Sequence, residues 1–295
     1  MSLDFIYDTP NAILLLIFIL VFLALALIGL FIFTIFTGDG FNKRFNDNNT
    51  GIYISVVATA MAIIIAFIIT GEYQTFATSS LNLAREANSL VSLIGILVAF
   101  NTPEARAGIV LTIKYICSII NVEFVLMEDG ILPGQNQCLD NLQLTILTLD
   151  PTTAKQAVLY DKAIDQLNLA INLRNYRLEQ TISTLHPEFY WLLIIGISIL
   201  IVLTWFINGD LLYRLIMVSF VTIIYSTLVT LVVLLDRPFR GFFGLDSSPF
   251  QLALQELGIT TCPTEGCAAI ESNTPNALKN KVFDCIKSST EINFV

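Results

Sequence analysis

The sequence has few charged residues and a single histidine. Lys, Arg, Asp and Glu make up 13% of its 295 residues, whereas a soluble domain typically carries about a quarter. Because His186 is the only histidine, a zinc site built on histidines is excluded. The sequence also contains no Walker phosphate loop and no Gly-x-Ser-x-Gly elbow. We therefore expect neither an enzyme nor a bound metal or cofactor.

Positive charge is also scarce. The net charge is −9, from 15 Lys and Arg against 24 Asp and Glu, which argues against nucleic-acid binding. The same balance weakens a simple account of anion attraction, because acidic residues in the middle of the chain would concentrate cations at a vestibule. Ion selectivity is therefore not predicted. The acidic residues concerned are Glu123, Glu128, Asp129, Asp140 and Asp150.

Apolar residues, by contrast, are abundant and collect in long blocks. They make up 55% of the chain, and the mean hydropathy is +0.74. A helix needs about 20 apolar residues to cross a bilayer, and lipid excludes isolated strands because their backbone groups stay unpaired. The first block is too long for a signal-peptide core and follows no basic stretch, so we expect it to be retained. Four transmembrane helices are predicted, at residues 12–36, 52–70, 189–207 and 211–235.

The four blocks form two pairs around a less apolar insert, residues 71–186. Residues 37–50 form a polar loop between the first two blocks, and Asn208-Gly209-Asp210 allows only a tight hairpin between the last two. Within the insert, apolar residues recur with alternating spacings of four and three in three stretches, residues 76–97, 110–127 and 157–182. This spacing predicts three long, water-exposed helices that pack together, the last one interrupted by Arg174. The predicted fold class is an all-α, polytopic membrane protein with a 2+2 layout.

Proline and capping residues place several helix ends. Thr102-Pro103 and Asp150-Pro151 each predict a helix start, because a capping side chain precedes a proline at the first helical position. No proline lies between Gly71 and Thr102, so the first insert helix can continue from the second membrane helix or bend at Gly71. After the fourth block, residues 236–258 are predicted to form a Pro/Gly junction and a short helix.

Several short motifs lie where the membrane blocks meet the insert and the junction. Glu86-Ala87 follows the second block, Arg174-x-x-Arg177 and His186-Pro187 precede the third, and Asp236-Arg237-Pro238-Phe239-x-Gly241 follows the fourth. With this helix order, residues 12–257 resemble the bacterial membrane proteins called bestrophin-like, a family of unknown function. Bestrophins themselves are pentameric anion channels with a similar helix order. The resemblance therefore implies an oligomeric channel, a homo-oligomer surrounded by membrane lipid.

A pore needs a helix face that tolerates water or close packing, and the second block offers one. Small and polar residues recur there at helical spacing, while charged residues are nearly absent from the blocks, which disfavours a proton relay. The alternative interpretation is a small-residue packing seam between helices of one subunit. The candidates for pore lining are Ser55, Thr59, Ala62, Ala66, Thr70 and Tyr73.

The motifs at the membrane boundary have a structural and a functional interpretation. Arg174 and Arg177 lie one helical turn apart, so they share a face and can meet Glu86 or Asp236 in a buried polar cluster. In the functional interpretation, arginines attract anions at a pore mouth or bind lipid headgroups. The histidine is interpreted as an interfacial residue, because no partner for pH sensing is evident. The boundary residues are Glu86, Arg174, Arg177, His186, Asp236, Arg237 and Arg240.

The cysteines favour an oxidising compartment. Cys138 and three cysteines of the polar tail at 259–295 lie in water-exposed stretches and are candidates for disulfides, without a defined pairing. The three are Cys262, Cys267 and Cys285, and the first two are not spaced as in a zinc knuckle. Cys117 lies on an apolar seam and is expected to be inert core.

Charges near the membrane blocks give a divided prediction of sidedness. Lys43 and Arg44 follow the first block and no Lys or Arg precedes it, which places the short loop in the cytoplasm. Arg237 and Arg240 point the other way, as does the cytoplasmic insert of bestrophins. The charges at Lys43 and Arg44 and the cysteines together favour a multi-pass protein of the cell (inner) membrane whose insert and termini are extracytoplasmic.

Two functions follow from these patterns. In the first, the protein is an oligomeric ion channel or pore with the second helix lining the path. In the second, it is a structural or signalling membrane protein whose helical insert docks a protein partner that the sequence does not name.

Overall fold

The computed structural model describes residues 11–37, 47–182, 185–241, 244–259 and 262, and within these ranges the regular structure is entirely helical. This confirms the all-α class. The predicted loop residues Lys43 and Arg44 and the tail cysteines Cys267 and Cys285 lie outside the described residues. The helices are α1 Asn11–Thr37, α2 Asp47–Phe100, α3 Pro103–Ser118, a π-helix Ile119–Glu123, α4 Phe124–Glu128, α5 Gln137–Leu147, α6 Ala154–Ile182, α7 Pro187–Trp205, α8 Leu211–Leu235 and α9 Ser248–Glu256.

The chain divides into two compact units. The first unit comprises Met1–Ala77 and Ser183–Gly244, and the second comprises Thr78–Ile182 and Leu245–Val295. The helix α2 runs without interruption through Gly71 and contributes its first part to the first unit and its remainder to the second. The sequence left open whether this helix bends at Gly71; the structure shows one continuous element.

The first unit is a helical bundle with an apolar core. Helix α1 packs along α8, and α7 packs against both. Helix α2 adds Met61, Ile65 and Ile68 to the same core. Two glycines permit close approach between helices. A Cβ at Gly29 would lie 2.6 Å from two ring carbons of Trp205, and one at Gly196 would collide with the Met61 sulfur.

A tight hairpin joins α7 to α8, as the sequence predicts. Gly209 adopts φ +148°, a conformation that side chains disfavour. In the first turn of α8, the Arg214 Nη2 donates to the Trp205 carbonyl oxygen at 2.8 Å, at the end of α7. The same guanidinium lies 5.9 Å from the ring centroid of Phe33 in α1. The hairpin is therefore held at the carbonyl end of one helix by a cation from the next.

In the described ranges, five helices are long and apolar enough to cross a membrane. Four of them correspond to the predicted blocks, although the third block, 189–207, was predicted to end two residues beyond Trp205, where the helix ends. The fifth, Pro103–Glu128, falls within the predicted insert, and 56% of its most apolar 18-residue stretch is buried inside the protein. By length and composition, the candidates therefore number one more than the four predicted.

The second unit contains a short helix that the predicted three-helix insert lacks. Besides the end of α2, the succession of α3, π-helix and α4, and the long α6, it contains α5, which packs on α3 and contacts α6. Asn136 caps α5 by accepting the backbone N–H of Cys138 at 3.1 Å. This helix has only 11 residues, too few for its apolar periodicity to stand out in the sequence.

The seam of α6 is rotated relative to the prediction. The sequence placed Ile182 on the seam and treated Arg174 as an interruption, but Ile182 is 59% exposed and Arg174 is buried. The rotation is possible because carboxylates neutralise the buried arginines. The buried positions of this helix are Ala163, Leu167, Ala170, Arg174, Arg177 and Thr181.

The two predicted helix starts have different outcomes. The Thr102 hydroxyl accepts the Ala105 N–H at 3.2 Å, with Pro103 at the first helical position, so that prediction is confirmed. The start at Asp150-Pro151 is wrong, because α6 begins at Ala154. There the Thr153 hydroxyl accepts the Gln156 N–H and the Gln156 side chain accepts the Thr153 N–H, both at 3.2 Å. This reciprocal capping box is stronger than the Asp-Pro signal.

Candidate functional site

The small-residue stripe of α2 lies on the outside of the single chain. All six of its members are exposed, whereas Met61, Ile65 and Ile68 on another side of the helix are buried in the core. This exposure argues against the alternative in which the stripe packs against another helix of the same subunit. The six residues are Ser55, Thr59, Ala62, Ala66, Thr70 and Tyr73.

The serine and threonine hydroxyl groups of the stripe bond within their own helix. Thr59 donates to the Ser55 carbonyl oxygen and Thr70 to the Ala66 carbonyl oxygen, each at 2.7 Å. Such back-bonding satisfies the hydroxyl donor in an apolar surrounding and leaves the oxygen able to accept another bond. The hydroxyl oxygens of the stripe therefore remain able to accept hydrogen bonds from water.

Bulky apolar residues form a second exposed arc of α2, next to the stripe. Val56 is 63% exposed, Ile63 53% and Phe67 73%. At about 100° per residue, this arc is displaced by roughly 80° from the centre of the small stripe. The helix thus presents two different exposed faces, one of small and polar residues and one of large hydrophobic residues.

A buried cluster of four charged residues lies in the second unit. The Arg177 guanidinium donates from Nε and Nη2 to the two oxygens of Glu86, both at 3.0 Å, and Nη2 also donates to Glu123 Oε2 at 2.7 Å. The side chains of Arg177, Glu86 and Glu123 are 2%, 0% and 3% exposed. These pairs are therefore almost completely removed from solvent.

Glu123 joins the two arginines of α6. Its Oε1 accepts from Arg174 Nη2 at 2.8 Å and from the Asn136 amide at 2.8 Å. Arg174 also donates to the Gly134 carbonyl oxygen at 2.9 Å. Two arginines and two glutamates give the cluster no net charge, and the extra bonds reduce the cost of burying the ions.

The surroundings of Arg177 are aromatic as well as anionic. Its Cζ lies 5.5 Å from the ring centroid of Phe124 and 5.8 Å from that of Phe250 in α9. Burial lowers the pKa of the Arg177 guanidinium, but Glu86 and Glu123 raise it by more, so the net shift is upward. Arg177 is therefore a permanent cation at the centre of this cluster.

Three elements bring the cluster together. Glu86 comes from α2 and the two arginines from successive turns of α6, while Glu123 ends the π-helix. A π-turn inserts one residue into the helical register and so redirects the side chains that follow. Glu86, Arg174 and Arg177 were singled out in the sequence. The place of Glu123 was missed, although two buried arginines facing one glutamate indicate a missing carboxylate.

Asp236 has other partners, which lie in the first unit. Its carboxylate accepts the Leu185 backbone N–H and a bond from the Tyr190 side chain. Burial raises the pKa of Asp236, an effect only partly opposed by these bonds and by Arg237. Asp236 follows directly on α8 and Leu185 precedes α7, so this contact ties the two ends of the α7–α8 pair together.

The remaining boundary residues have mixed surroundings. The Arg240 side chain is largely buried, and its backbone N–H donates to the Arg237 carbonyl oxygen at 3.2 Å in a turn that continues to Gly241 at φ 76°. His186 is exposed, and its Nδ1 lies 3.6 Å from Glu188. It precedes α7 but forms no side-chain capping bond.

The three described cysteines of the second unit are disulfide-bonded. Cys117 forms a disulfide with Cys262, and Cys138 is also disulfide-bonded. The expectation that Cys117 is inert core is wrong, because its seam position lies beside the segment that follows α9. Within the part of the chain that the structure describes, no group of three or more His, Cys, Asp and Glu side chains could hold a metal ion.

Comparison with known proteins gives a family and a fold. The bestrophin-like domain matches residues 20–250, and no curated protein matches the chain. Two variants of a bacterial bestrophin homolog from Klebsiella pneumoniae superpose with TM-scores of 0.61 and 0.63 at 14% and 13% identity, covering 83% and 82% of this chain and 99% and 98% of theirs. A structure described as a membrane protein gives 0.62 at 14% identity, with 83% and 99% covered. At these identities the similarity shows a shared fold.

Proposed function

We propose that this chain, which belongs to the bestrophin-like family, forms an oligomeric ion channel in which α2 lines the conducting path. The chain is a membrane protein, given its long apolar helices and its family. The observation that carries the proposal is the exposed stripe of small and polar residues on α2. Such a face is poorly suited to lipid, because it offers little apolar area and several hydroxyl groups.

A single helix cannot enclose a pore, so the proposal requires several copies of the chain. In a cyclic homo-oligomer, the stripes of neighbouring α2 helices would surround the symmetry axis. The bulky arc at Val56, Ile63 and Phe67 would then pack against an adjacent subunit or lipid. This arrangement assigns a different surrounding to each of the two exposed faces.

We infer that four helices cross the membrane, namely α1, the first part of α2, α7 and α8. The fifth apolar helix, Pro103–Glu128, is assigned to the insert because more than half of its most apolar 18-residue stretch is buried inside the protein. It also carries Glu123, which is paired with two buried arginines, and Cys117, which is disulfide-bonded. A helix that faces lipid carries few charged residues, so the buried ion pairs of Glu123 favour a place in the insert.

The disulfides favour an extracytoplasmic insert. Disulfides persist in oxidising compartments and are rare in the reducing cytosol, and Cys117, Cys138 and Cys262 are all bonded in the second unit. Four spans place the insert, the tail and both termini on one side. Intact cells treated with a membrane-impermeant reductant and then a membrane-impermeant thiol label should gain label on these cysteines. Labelling that requires cell lysis would reverse the assignment.

Ion flux through reconstituted protein tests the channel directly. The purified oligomer should release chloride, potassium or sodium from loaded liposomes faster than protein-free vesicles, with each ion measured separately. A folded oligomer with no flux of any of these ions would overturn the proposal and favour the structural or signalling role. An oligomer structure in which the α2 helices do not surround an axis would also overturn it.

A further inference from the structure

A disulfide fastens the segment that follows α9 to α3. Cys117 is the penultimate residue of α3, and Cys262 follows α9, 145 positions later in the sequence. Cys117 is buried, whereas Cys262 is only half-buried. Cys117 therefore lies inside the second unit, whereas Cys262 lies nearer its surface.

The helix α9 covers the buried charge cluster. Phe250 is fully buried, its ring packs edge-on against Phe124 at 5.9 Å, and it lies over Arg177. Ala253 and Leu254 are also buried, and α9 contacts both α3 and the π-helix that carries Glu123. One side of α9 thus forms an apolar cover over ion pairs that depend on exclusion of water.

The helix α9 depends on tertiary contacts for its stability. With nine residues, α9 is shorter than helices that are stable alone in water, for which about 12–15 residues are needed. Only its buried side, with Phe250, Ala253 and Leu254, packs against the unit, whereas Leu252 on the other side is 63% exposed. A covalent bond just beyond its end raises the effective concentration of α9 at its docking surface, in the same way as any short tether.

We propose that the Cys117–Cys262 disulfide is a redox latch, and that a dithiol reductant opens it at Cys262 and releases α9 from the charge cluster. Loss of the Phe250 ring would admit water to Arg177 and weaken its bonds with Glu86 and Glu123. The latch thereby couples the redox state of the half-buried Cys262 to the packing of three elements, namely α2, the π-helix and α6.

The chemistry is ordinary thiol–disulfide exchange. A thiolate of the dithiol attacks the Cys262 sulfur, the bond between the two protein sulfurs breaks, and Cys117 leaves as a thiolate that takes up a proton. The second thiol of the reductant then attacks the mixed disulfide, loses its proton and frees Cys262. The reductant ends as a cyclic disulfide, and the protein gains two thiols.

Hydrogen exchange of the full-length protein in detergent, with and without dithiothreitol, tests the latch. Reduction should speed amide exchange in peptides covering α9 by at least about tenfold, because local opening becomes less costly, and exchange in the π-helix and α4 should also increase. Peptide mapping under non-reducing conditions should show the Cys117–Cys262 link before reduction and its loss afterwards.

Two variants locate the effect. The Cys262→Ser variant should exchange rapidly at α9 with no further response to dithiothreitol. The Cys138→Ser variant keeps both latch cysteines and should respond to reduction as the natural protein does. If α9 stays protected after mapping shows the link cut, or if mapping finds no such link, the latch is overturned. The readout requires no ion flux, so it stands apart from the channel proposal.

Discussion

Arg177 holds both oxygens of Glu86 at 3.0 Å, across 91 residues of sequence and within a site that is almost closed to water. Arg177 also binds Glu123, which Arg174 shares. Removing one member of a buried pair costs far more than removing both, because the remaining ion stays buried and unpaired. The cluster therefore makes specific predictions for single and double substitutions.

The variant Arg177→Met should lose about 3–5 kcal/mol of unfolding free energy, because Glu86 is left as an unpaired buried anion. In the double variant with Glu86→Gln, Glu123 still has Arg174, and more than half of the loss should be recovered. Denaturant unfolding in detergent compares the wild type, the two single variants and the double variant in one cycle. The exposed Arg85→Met is the matched control and should change stability by less than about 0.5 kcal/mol. Losses that simply add in the double variant would contradict the pairing.

The glycine at position 29 is required by helix packing. In Gly29→Ala, the new Cβ would meet the rigid Trp205 ring at 2.6 Å, so overpacking should cost about 1–3 kcal/mol. Gly71→Ala is the control, because nothing lies within 4 Å of its Cβ position. Thermal unfolding followed by size-exclusion chromatography should show a lower midpoint for the first variant alone. Equal midpoints would show that α1 and α7 can separate without loss.

Two neighbouring residues on α2 distinguish the proposed path from the outer face. Ala66→Trp adds bulk to the small stripe and should lower ion flux by at least about tenfold, because a large side chain obstructs a narrow pore. Phe67→Trp changes the bulky arc and should leave flux within about twofold on the same reasoning. Liposome flux assays at matched protein content compare them. Equal inhibition by both, or by neither, would argue that α2 does not line the path.

The carboxyl of Asp236 is predicted to act mainly as an acceptor for Leu185. Asp236→Ala should cost about 1–3 kcal/mol, because a partly buried N–H loses its partner. Asp236→Asn keeps an acceptor and should cost less. These costs can be read from thermal unfolding at fixed pH, and a larger loss in the Asn variant would show that the charge itself is needed.

The pH dependence of Asp236 has a definite sign. Its pKa is raised from the ordinary value of 3.8 by burial, so the folded state favours the protonated form. That stability is present below pH 3.8 and is lost as pH rises through the raised folded pKa. Relative to wild type, Asp236→Asn should therefore gain stability as pH increases through this window. An unchanged difference between the two proteins across it would contradict the raised pKa.

The sequence predicted part of the charge cluster and not the rest. Glu86, Arg174 and Arg177 were singled out as motifs of the family resemblance. The one-turn spacing of the two arginines placed them on one helix face, with Glu86 or Asp236 as alternative partners. Glu123 was overlooked as that partner because its inward direction results from the π-helix, which has no reliable sequence signal. Asp236 was considered for the same cluster, but its partners are Leu185 and Tyr190.

By itself, the sequence determined the helical class, the long apolar segments and the start of α3 at Thr102-Pro103. These properties depend on the composition of each segment and on bonds between near neighbours, because lipid and helix ends impose their demands locally. Only the tertiary structure decided the rotation of α6, the presence of Glu123 between two arginines and the pairing of Cys117 with Cys262. Each of these relates residues far apart in the chain, and many alternative pairings fit the same spacing until packing selects one.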